Sequence, residues 1–310
     1  MNEFSFINYL KKKMPGARRV ALGIGDDAAV WNLTPGKQLV VSTDVIVENV
    51  DFRVNEASPE KIGRKALAIN LSDMAAMGAS PTAFVITLGK PRYISPSWLK
   101  RFYAGMLGLA KSYGVVCVGG DFSVSKEFFA SVTIFGEVVS QQFVKRSGAM
   151  AGDWIAVTGR LGGSILRHHY DFTPRVREGL FLARKIRPTA MIDISDGLIQ
   201  DLSHILKASK VGAVLDLEKI PVSSDARKIT KGDGSKALEC ALSDGEDFEL
   251  LFTVSSWGKM MLEKNWRKKF PQVPLTWIGE VQGKAPRISW RRDGKWVAMP
   301  QLSQKGFLHF

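Results

Sequence analysis

Five separate apolar runs in this chain each end on a carboxylate: VALGIGDD at Asp26 and Asp27, LVVSTD at Asp44, LAINLSD at Asp73, VVCVGGD at Asp121, and AMIDISD at Asp193 and Asp196. The pattern constrains the fold, because a packed element tolerates an acid only where that acid is paired, hydrogen-bonded or bound to a cation. The residues beside these acids are Gly, Ser and Thr rather than Lys or Arg. Oxygen donors in such company suit hard cations such as Mg²⁺, which bridge protein to phosphate. The reading that follows is a metal-dependent phosphate enzyme.

With 310 residues, 45% hydrophobic and 24% charged, the chain is long enough for two globular domains. ARRVALGIGDDAAVW and KQLVVSTDVIVENVDF read as strand-rich runs, a hairpin or neighbouring strands about a Thr34-Pro35-Gly36 turn. Ser58-Pro59-Glu60 opens a helix in which Ile62, Ala66, Ile69, Asn70, Asp73 and Met77 fall on or near one side. TAFVITLGKP reads as a strand, SPSWLKRFYAGMLGLAKSYG as an amphipathic helix, and VVCVGGD and FASVTIFGEVV as strands. A polar stretch near 140–152 predicts a boundary between domains of residues 1–140 and 141–310. Beyond it, DWIAVTG, TAMIDISDG, GAVLDLEKIPV, FELLFTV, LTWIGEV and RISWRRDGKWVAM are strand candidates. LGGSILRHHY should start a helix, and GLIQDLSHILKAS should form one with Leu198, Leu202, Ile205 and Leu206 inward. The expected fold class is α/β (α+β), with two α/β domains.

No apolar stretch approaches the roughly 18 residues a membrane helix needs. The charges of MNEFSFINYLKKK follow its apolar patch, opposite to a secretory signal, so the expectation is a cytoplasmic protein without a membrane partner. Two cysteines, Cys117 and Cys240, sit in apolar surroundings and read as buried reduced thiols. The net charge of +13 invites a nucleic-acid reading. Its basic residues are spread over Lys11 to Lys13, Arg18, Arg19, Arg175 to Arg187, KNWRKKF, Arg291 and Arg292, so no nucleic-acid partner is expected.

The acidic motifs carry the chemistry. Asp26 and Asp27 lie between small residues, where a ligand can approach the backbone. Ser42, Thr43 and Asp44 offer two hydroxyls and a carboxylate at a strand end. Gly119, Gly120 and Asp121 read as a modified glycine-rich loop, with N–H groups for a phosphate and an acid for its counter-cation. Ser195 or Asp196 sits where a helix begins, and free N–H donors there suit a phosphate. Asp244, Glu246, Asp247 and Glu249 precede a strand, where Glu246 and Asp247 could read a cationic substrate or support a metal, or the segment could form a solvated acidic turn. His168 and His169 have no acid spaced to orient them, His204 follows an apolar stripe, and all three read as surface or core residues. Neither a P-loop, nor a Rossmann glycine motif at a strand-to-helix junction, nor G-x-S-x-G is present.

In their order, EFSFINYL, GIGDD, STD, KALAINLSDMAAMGASP, GGD, RSGAMAGDWIAVTG, IDISDGLIQDLSHI, GEDFELLFTV, WIGEV and GFLHF resemble thiamine-monophosphate kinase along nearly the full chain. That family shares a superfamily with aminoimidazole ribonucleotide synthetase and selenophosphate synthetase. The resemblance implies an aminoimidazole-ribonucleotide-synthetase-like fold whose N-terminal domains pair into a homodimer. It also implies transfer of the ATP γ-phosphoryl group to thiamine monophosphate, with no covalent enzyme intermediate and so no protein nucleophile. By motif, Asp27, Ser42, Thr43, Asp44, Asp73, Asp121, Asp193 and Asp196 would coordinate several Mg²⁺ ions. Gly120, Asp121, Arg146 and Ser195 would contact ATP, and Glu246 the thiamine moiety. Two departures stand out: Val50-Asp51-Phe52 occupies the segment where the family has a histidine, so that substrate contact would be either altered or supplied by Asp51, and Asp244 replaces a glycine. The alternatives are an aminoimidazole ribonucleotide synthetase-like enzyme and a non-catalytic nucleotide- or nucleic-acid-binding protein. Cys117 and Cys240 fit neither the reactive N-terminal Cys of a selenophosphate synthetase nor the C-terminal Cys of a hydrogenase-maturation relative.

Overall fold

The structure is a computed structural model that describes residues 9–13, 19–24, 28–283 and 285–300. Asp26, Asp27 and the closing GFLHF lie outside the described residues. The chain divides into two compact units, one of Met1–Met74 and Ala79–Gln141, the other of Ala75–Gly78 and Gln142–Phe310.

In the first unit, helix α1 (9–13) and a hairpin of β1 (Val20–Leu22) and β2 (Val30–Trp31) come first. They are followed by β3 (Lys37–Val47), α2 (Pro59–Ala76), β4 (Ser80–Lys90), α3 (Pro96–Tyr113), β5 (Val116–Val124) and β6 (Phe129–Val139). The long strands form one sheet in the order β3-β6-β4-β5, parallel only between β4 and β5. The two strand-rich runs are therefore not ladder neighbours. β3 pairs over its full length with β6, whereas among the described residues the first run yields only the short β1 and β2. Helix α2 starts at Pro59, and it is covered on more than one side: Leu67, Ala68, Leu71 and Met74 are as buried as Ile62 and Ala66. Ser95 caps α3 by accepting the Trp98 N–H, and Gly114 ends it in the left-handed region. A Cβ on Gly63 or Gly105 would lie 1.9 Å from a carbonyl oxygen of Phe102 or Glu60 respectively, so α2 and α3 touch backbone to backbone.

The second unit runs through β7 (Trp154–Thr158), α4 (His168–Asp171), α5 (Val176–Phe181), β8 (Ala190–Asp193), α6 (Leu198–Ser209), β9 (Gly212–Asp216), α7 (Ser224–Ile229), α8 (Gly234–Ser243) and β10 (Leu250–Val254). It finishes with α9 (Ser256–Lys269), β11 (Leu275–Gln282), β12 (Ile288–Arg292) and β13 (Lys295–Val297). Its sheet has the order β13-β12-β9-β11-β7-β10-β8. Ile155, Val157, Ile192, Leu251 and Ile278 form its core with Leu198, Leu202, Ile205 and Leu206 of α6. Each such side chain contributes about 1.5 to 3 kcal/mol through burial. The helix expected from LGGSILRHHY is instead a 3₁₀ turn (Ser164–Leu166) followed by the short α4. Gly162 and Gly163 take φ of +86° and +72°, which breaks helical continuity at its start.

Among the described residues, no helix is long and apolar enough to cross a membrane. Cys117 is buried and its thiol is pushed up to about 12 by burial. Cys240 is only partly covered, contrary to the sequence expectation, because α8 leaves one flank open; burial and then Asp244 push it up to about 12 as well.

Candidate functional site

In the first unit, Ser42, Thr43 and Asp44 stand in the middle of β3, not at its end, opposite Ile134, Thr133 and Val132 of β6. Side chains alternate along a strand, so Ser42 and Asp44 share the face of the buried Ile46 while Thr43 points the other way. The Ser42 hydroxyl donates to the Asp73 carboxylate of α2, which brings two of the expected metal ligands together. The Thr43 hydroxyl lies 3.1 Å from the Val132 carbonyl oxygen and 3.0 Å from Thr133 Oγ1, so the structure does not bring it to that pair. Asp51 closes the turn after β3: its Oδ2 accepts the Val47 N–H at 2.8 Å, and its carbonyl accepts from the buried Lys65 at 2.9 Å.

The Gly119-Gly120-Asp121 segment is not a loop. It continues β5, paired with Val85, Ile86 and Thr87, because β4 runs on beside it. A Cβ on Gly120 would stand 2.2 Å from the Ile86 carbonyl oxygen, so this glycine serves the close approach of two strands. Asp121 is exposed on the edge strand of the sheet. A cavity of about 620 Å³ adjoins the start of β5, lined among others by Tyr9, Tyr103, Leu107, Gly108, Val116 and Cys117.

In the second unit, Asp193 ends β8, 4% exposed and opposite Leu250. Ser195 and Asp196 form the turn into α6, which begins at Leu198 after Gly197 with φ +112°. The N–H groups of this turn are not free donors. Those of Ser195, Asp196 and Gly197 converge on Asp201 Oδ2 at 3.1, 3.0 and 3.2 Å. Asp201, 1% exposed, is a residue that sequence reasoning missed; its only signal was an acid in the first turn of a helix. Burial, then the charges of Asp193 and Asp196, push its carboxyl up to about 8. Asp196 also accepts from Gln200 at 3.0 Å, and ligand atoms of Asp196, Asp201 and His204 all lie within 4.8 Å of one another. Burial, then the Arg146 charge, lowers the His204 imidazole's proton affinity, which sets Arg146 in electrostatic reach of this cluster. Arg146 itself is exposed, next to Lys145, whose carbonyl accepts the Met191 N–H at 2.9 Å.

The acidic segment before β10 is not a solvated turn, since Asp247 and Glu249 are each 2% exposed. The Gly162 N–H donates to both Asp247 oxygens at 2.9 and 3.0 Å, and the Gly163 N–H donates to Asp244 at 2.9 Å. Burial raises Asp247 well above the ordinary carboxylate range. Glu249 receives Arg175 on both oxygens and the Thr158 hydroxyl. Between these fixed points Glu246 takes φ +53°, and its N–H donates to the Ser195 carbonyl at 2.7 Å, which ties it to the Asp193–Asp196 turn. His169, 4% exposed, lies with Nδ1 3.2 Å from Glu246 Oε2, so the acid missing from its sequence neighbourhood arrives through the fold.

The donors at the predicted metal positions are carboxylate and hydroxyl oxygens, the set that Mg²⁺ prefers, and the half-buried or exposed Asp44, Asp73, Asp121 and Asp196 are open to it. Residues 25–138 match the family described as AIR synthase related protein, N-terminal domain. The chain is 40% identical to a thiamine-monophosphate kinase of Rhodopirellula baltica, over 99% of this chain and 97% of that protein. The crystal structure of thiamine-monophosphate kinase from Stenotrophomonas maltophilia K279a matches with a TM-score of 0.83 at 33% identity, covering 96% of this chain and 98% of that one. A structure of AaThiL complexed with AMPPCP and TMP matches with a TM-score of 0.75 at 31% identity, covering 99% and 97%. Likeness at this level over 96 to 99% of the chain makes it a member of the thiamine-monophosphate kinase family.

Proposed function

We propose that this chain phosphorylates thiamine monophosphate with ATP, giving thiamine diphosphate and ADP by direct in-line transfer. The observation that carries the reading is the full-length likeness to thiamine-monophosphate kinases, one of them solved with AMPPCP and TMP. Phosphoryl transfer asks a protein mainly for positioning and charge neutralisation, so an array of fixed oxygen donors without a nucleophile suits it. Asp27, Ser42, Thr43, Asp44, Asp73, Asp121, Asp193 and Asp196 would hold several Mg²⁺ ions. Bound Mg²⁺ supplies the positive charge that lets two phosphate-bearing substrates approach. Thr43 would serve through its backbone carbonyl, since its hydroxyl faces β6.

Gly120, Asp121, Arg146 and Ser195 would contact ATP, with Arg146 able to grip a phosphate through two N–H groups. The apolar cavity beside Tyr103 has room for a purine ring. Glu246 and Asp51 would meet the substrate, Glu246 facing the positive thiazolium. Residues 1–140 would then carry ATP, Mg²⁺ and dimerisation, and residues 141–310 the remaining nucleotide and substrate contacts. A homodimer is supported by Leu39, Val41 and Val45, which alternate along one face of β3 and are 45%, 52% and 50% exposed. The setting is the cytoplasm, with neither nucleic acid nor membrane as partner.

The test is ADP release with ATP, Mg²⁺ and thiamine monophosphate, with thiamine and an aminoimidazole precursor as controls and thiamine diphosphate measured directly. Product from the monophosphate alone supports the assignment. ATP bound without thiamine diphosphate formed overturns it.

A further inference from the structure

Two adjacent histidines of α4 reach the same loop at successive residues. His168 Nε2 lies 3.1 Å from the Asp247 carbonyl oxygen, which can only accept, so that nitrogen carries the proton. His169 Nδ1 lies 3.2 Å from Glu246 Oε2. His169 is 4% exposed, with its ring against Tyr170 at 3.9 Å between centroids, whereas the Glu246 side chain is 32% exposed. The buried imidazole is thus fixed by packing, and the carboxylate it meets opens to solvent. The Glu246 backbone is held too: its N–H by Ser195, and its neighbours Asp244 and Asp247 by Gly163 and Gly162. Without the His169 contact the glutamate end would have more rotamer freedom to lose when a ligand binds.

We infer that His169 is a positioning residue for substrate recognition: its Nδ1–H directs the Glu246 carboxylate toward the cationic ring of the substrate, while His168 anchors the loop through the Asp247 carbonyl. This rests on the reading of Glu246 as the thiamine contact.

The two ring nitrogens can be separated by substitution, because an Asn amide reaches the place of Nδ1 and a Gln amide that of Nε2. Steady-state kinetics of the full chain with ATP, Mg²⁺ and thiamine monophosphate would compare His169→Asn, His169→Gln, Glu246→Gln and the double variant H169Q/E246Q. Loss of one hydrogen bond to a charged group raises KM for thiamine monophosphate about tenfold in His169→Gln. The expected KM for ATP and kcat stay within about twofold, His169→Asn stays near the unsubstituted protein, and His169→Gln adds little on top of Glu246→Gln. Equal losses in the Asn and Gln variants, a parallel rise in KM for ATP, or full multiplication in the double variant each reduce His169 to packing and overturn the inference. If His169→Gln does not fold, His169→Ala takes its place in the same comparison. An unchanged KM in Glu246→Gln is a separate failure, that of the Glu246 assignment itself.

Discussion

Asp201→Ala removes the single oxygen on which the N–H groups of Ser195, Asp196 and Gly197 converge. At 3.0 to 3.2 Å these are ordinary hydrogen bonds. Burial and the neighbouring acids push the carboxyl up to about 8, so without a bound cation it is mostly protonated at neutral pH and the value for neutral bonds applies. At about 1 kcal/mol each, the turn loses about 3 kcal/mol of anchoring. If all of it is felt in the transition state, kcat/KM falls about 150-fold. Asp201→Asn keeps an acceptor oxygen in nearly the same volume and should stay within about tenfold of the unsubstituted protein. The assay is kcat/KM for thiamine monophosphate at saturating ATP across a Mg²⁺ series, with a thermal melt of each variant. An Asp201→Ala protein within about twofold of the unsubstituted one, while Asp196→Asn is inactive, would refute the claim that this cap holds the turn in its working position.

On the proposed ligand set, Asp44→Asn and Asp121→Asn should each lower turnover below about 1% with little change in melting temperature, since each would remove a metal-ligand charge from a site open to solvent; unchanged Mg²⁺-dependent turnover in both speaks against them as ligands. Gly120→Ala forces a Cβ to within 2.2 Å of the Ile86 carbonyl and should cost about 1 to 3 kcal/mol, read as a lower melting temperature. Glu137, 1% exposed, is pushed up by burial but more strongly down by Thr34, Arg19 and Lys37, to about 2 from 4.5. A depressed carboxylate stabilises above its unfolded value and loses that contribution as pH falls toward about 2. Allowing for solvent screening of its partners, on the order of 1 to 2 kcal/mol separates the protein from Glu137→Gln at neutral pH. Urea midpoints of the two should converge as pH falls from 4.5 to 2.

The regular elements were legible where local chemistry decides them. Ser95 and Gly114 bracket α3, Pro59 opens α2, and the spacing of Leu198, Leu202, Ile205 and Leu206 gives α6 its buried face. What sequence reasoning missed depends on distant partners. β3 reads as part of a local hairpin until β6 takes up its whole length, and the same pairing puts Ser42 to Asp44 in mid-strand. Gly119 and Gly120 carry the signature of a loop, yet β4 alongside keeps them in a strand. LGGSILRHHY has helical spacing, but its two glycines are left-handed for the sake of carboxylates far along the chain. The same separation hid Glu246 as the partner of His169, whereas Asp201 caps a turn only 4 to 6 residues away and its local signal, an acid in the first turn of a helix, was passed over. The acids at the ends of apolar runs were visible throughout, because a buried or half-buried charge without a nearby base stands out in any sequence.

Because the N–H groups of Gly162 and Gly163 are closed by carboxylates 85 and 81 residues further along, that early turn has no finished form until late in synthesis. A nascent chain stopped before Asp244 would also lack β10 and β11, the two strands that flank β7 in the sheet. Ordering here waits on loop closure over a long span, which slows folding relative to local helix formation. The turn, β7 and the loop that carries Glu246 therefore become native together, once the later strands of this unit have been made.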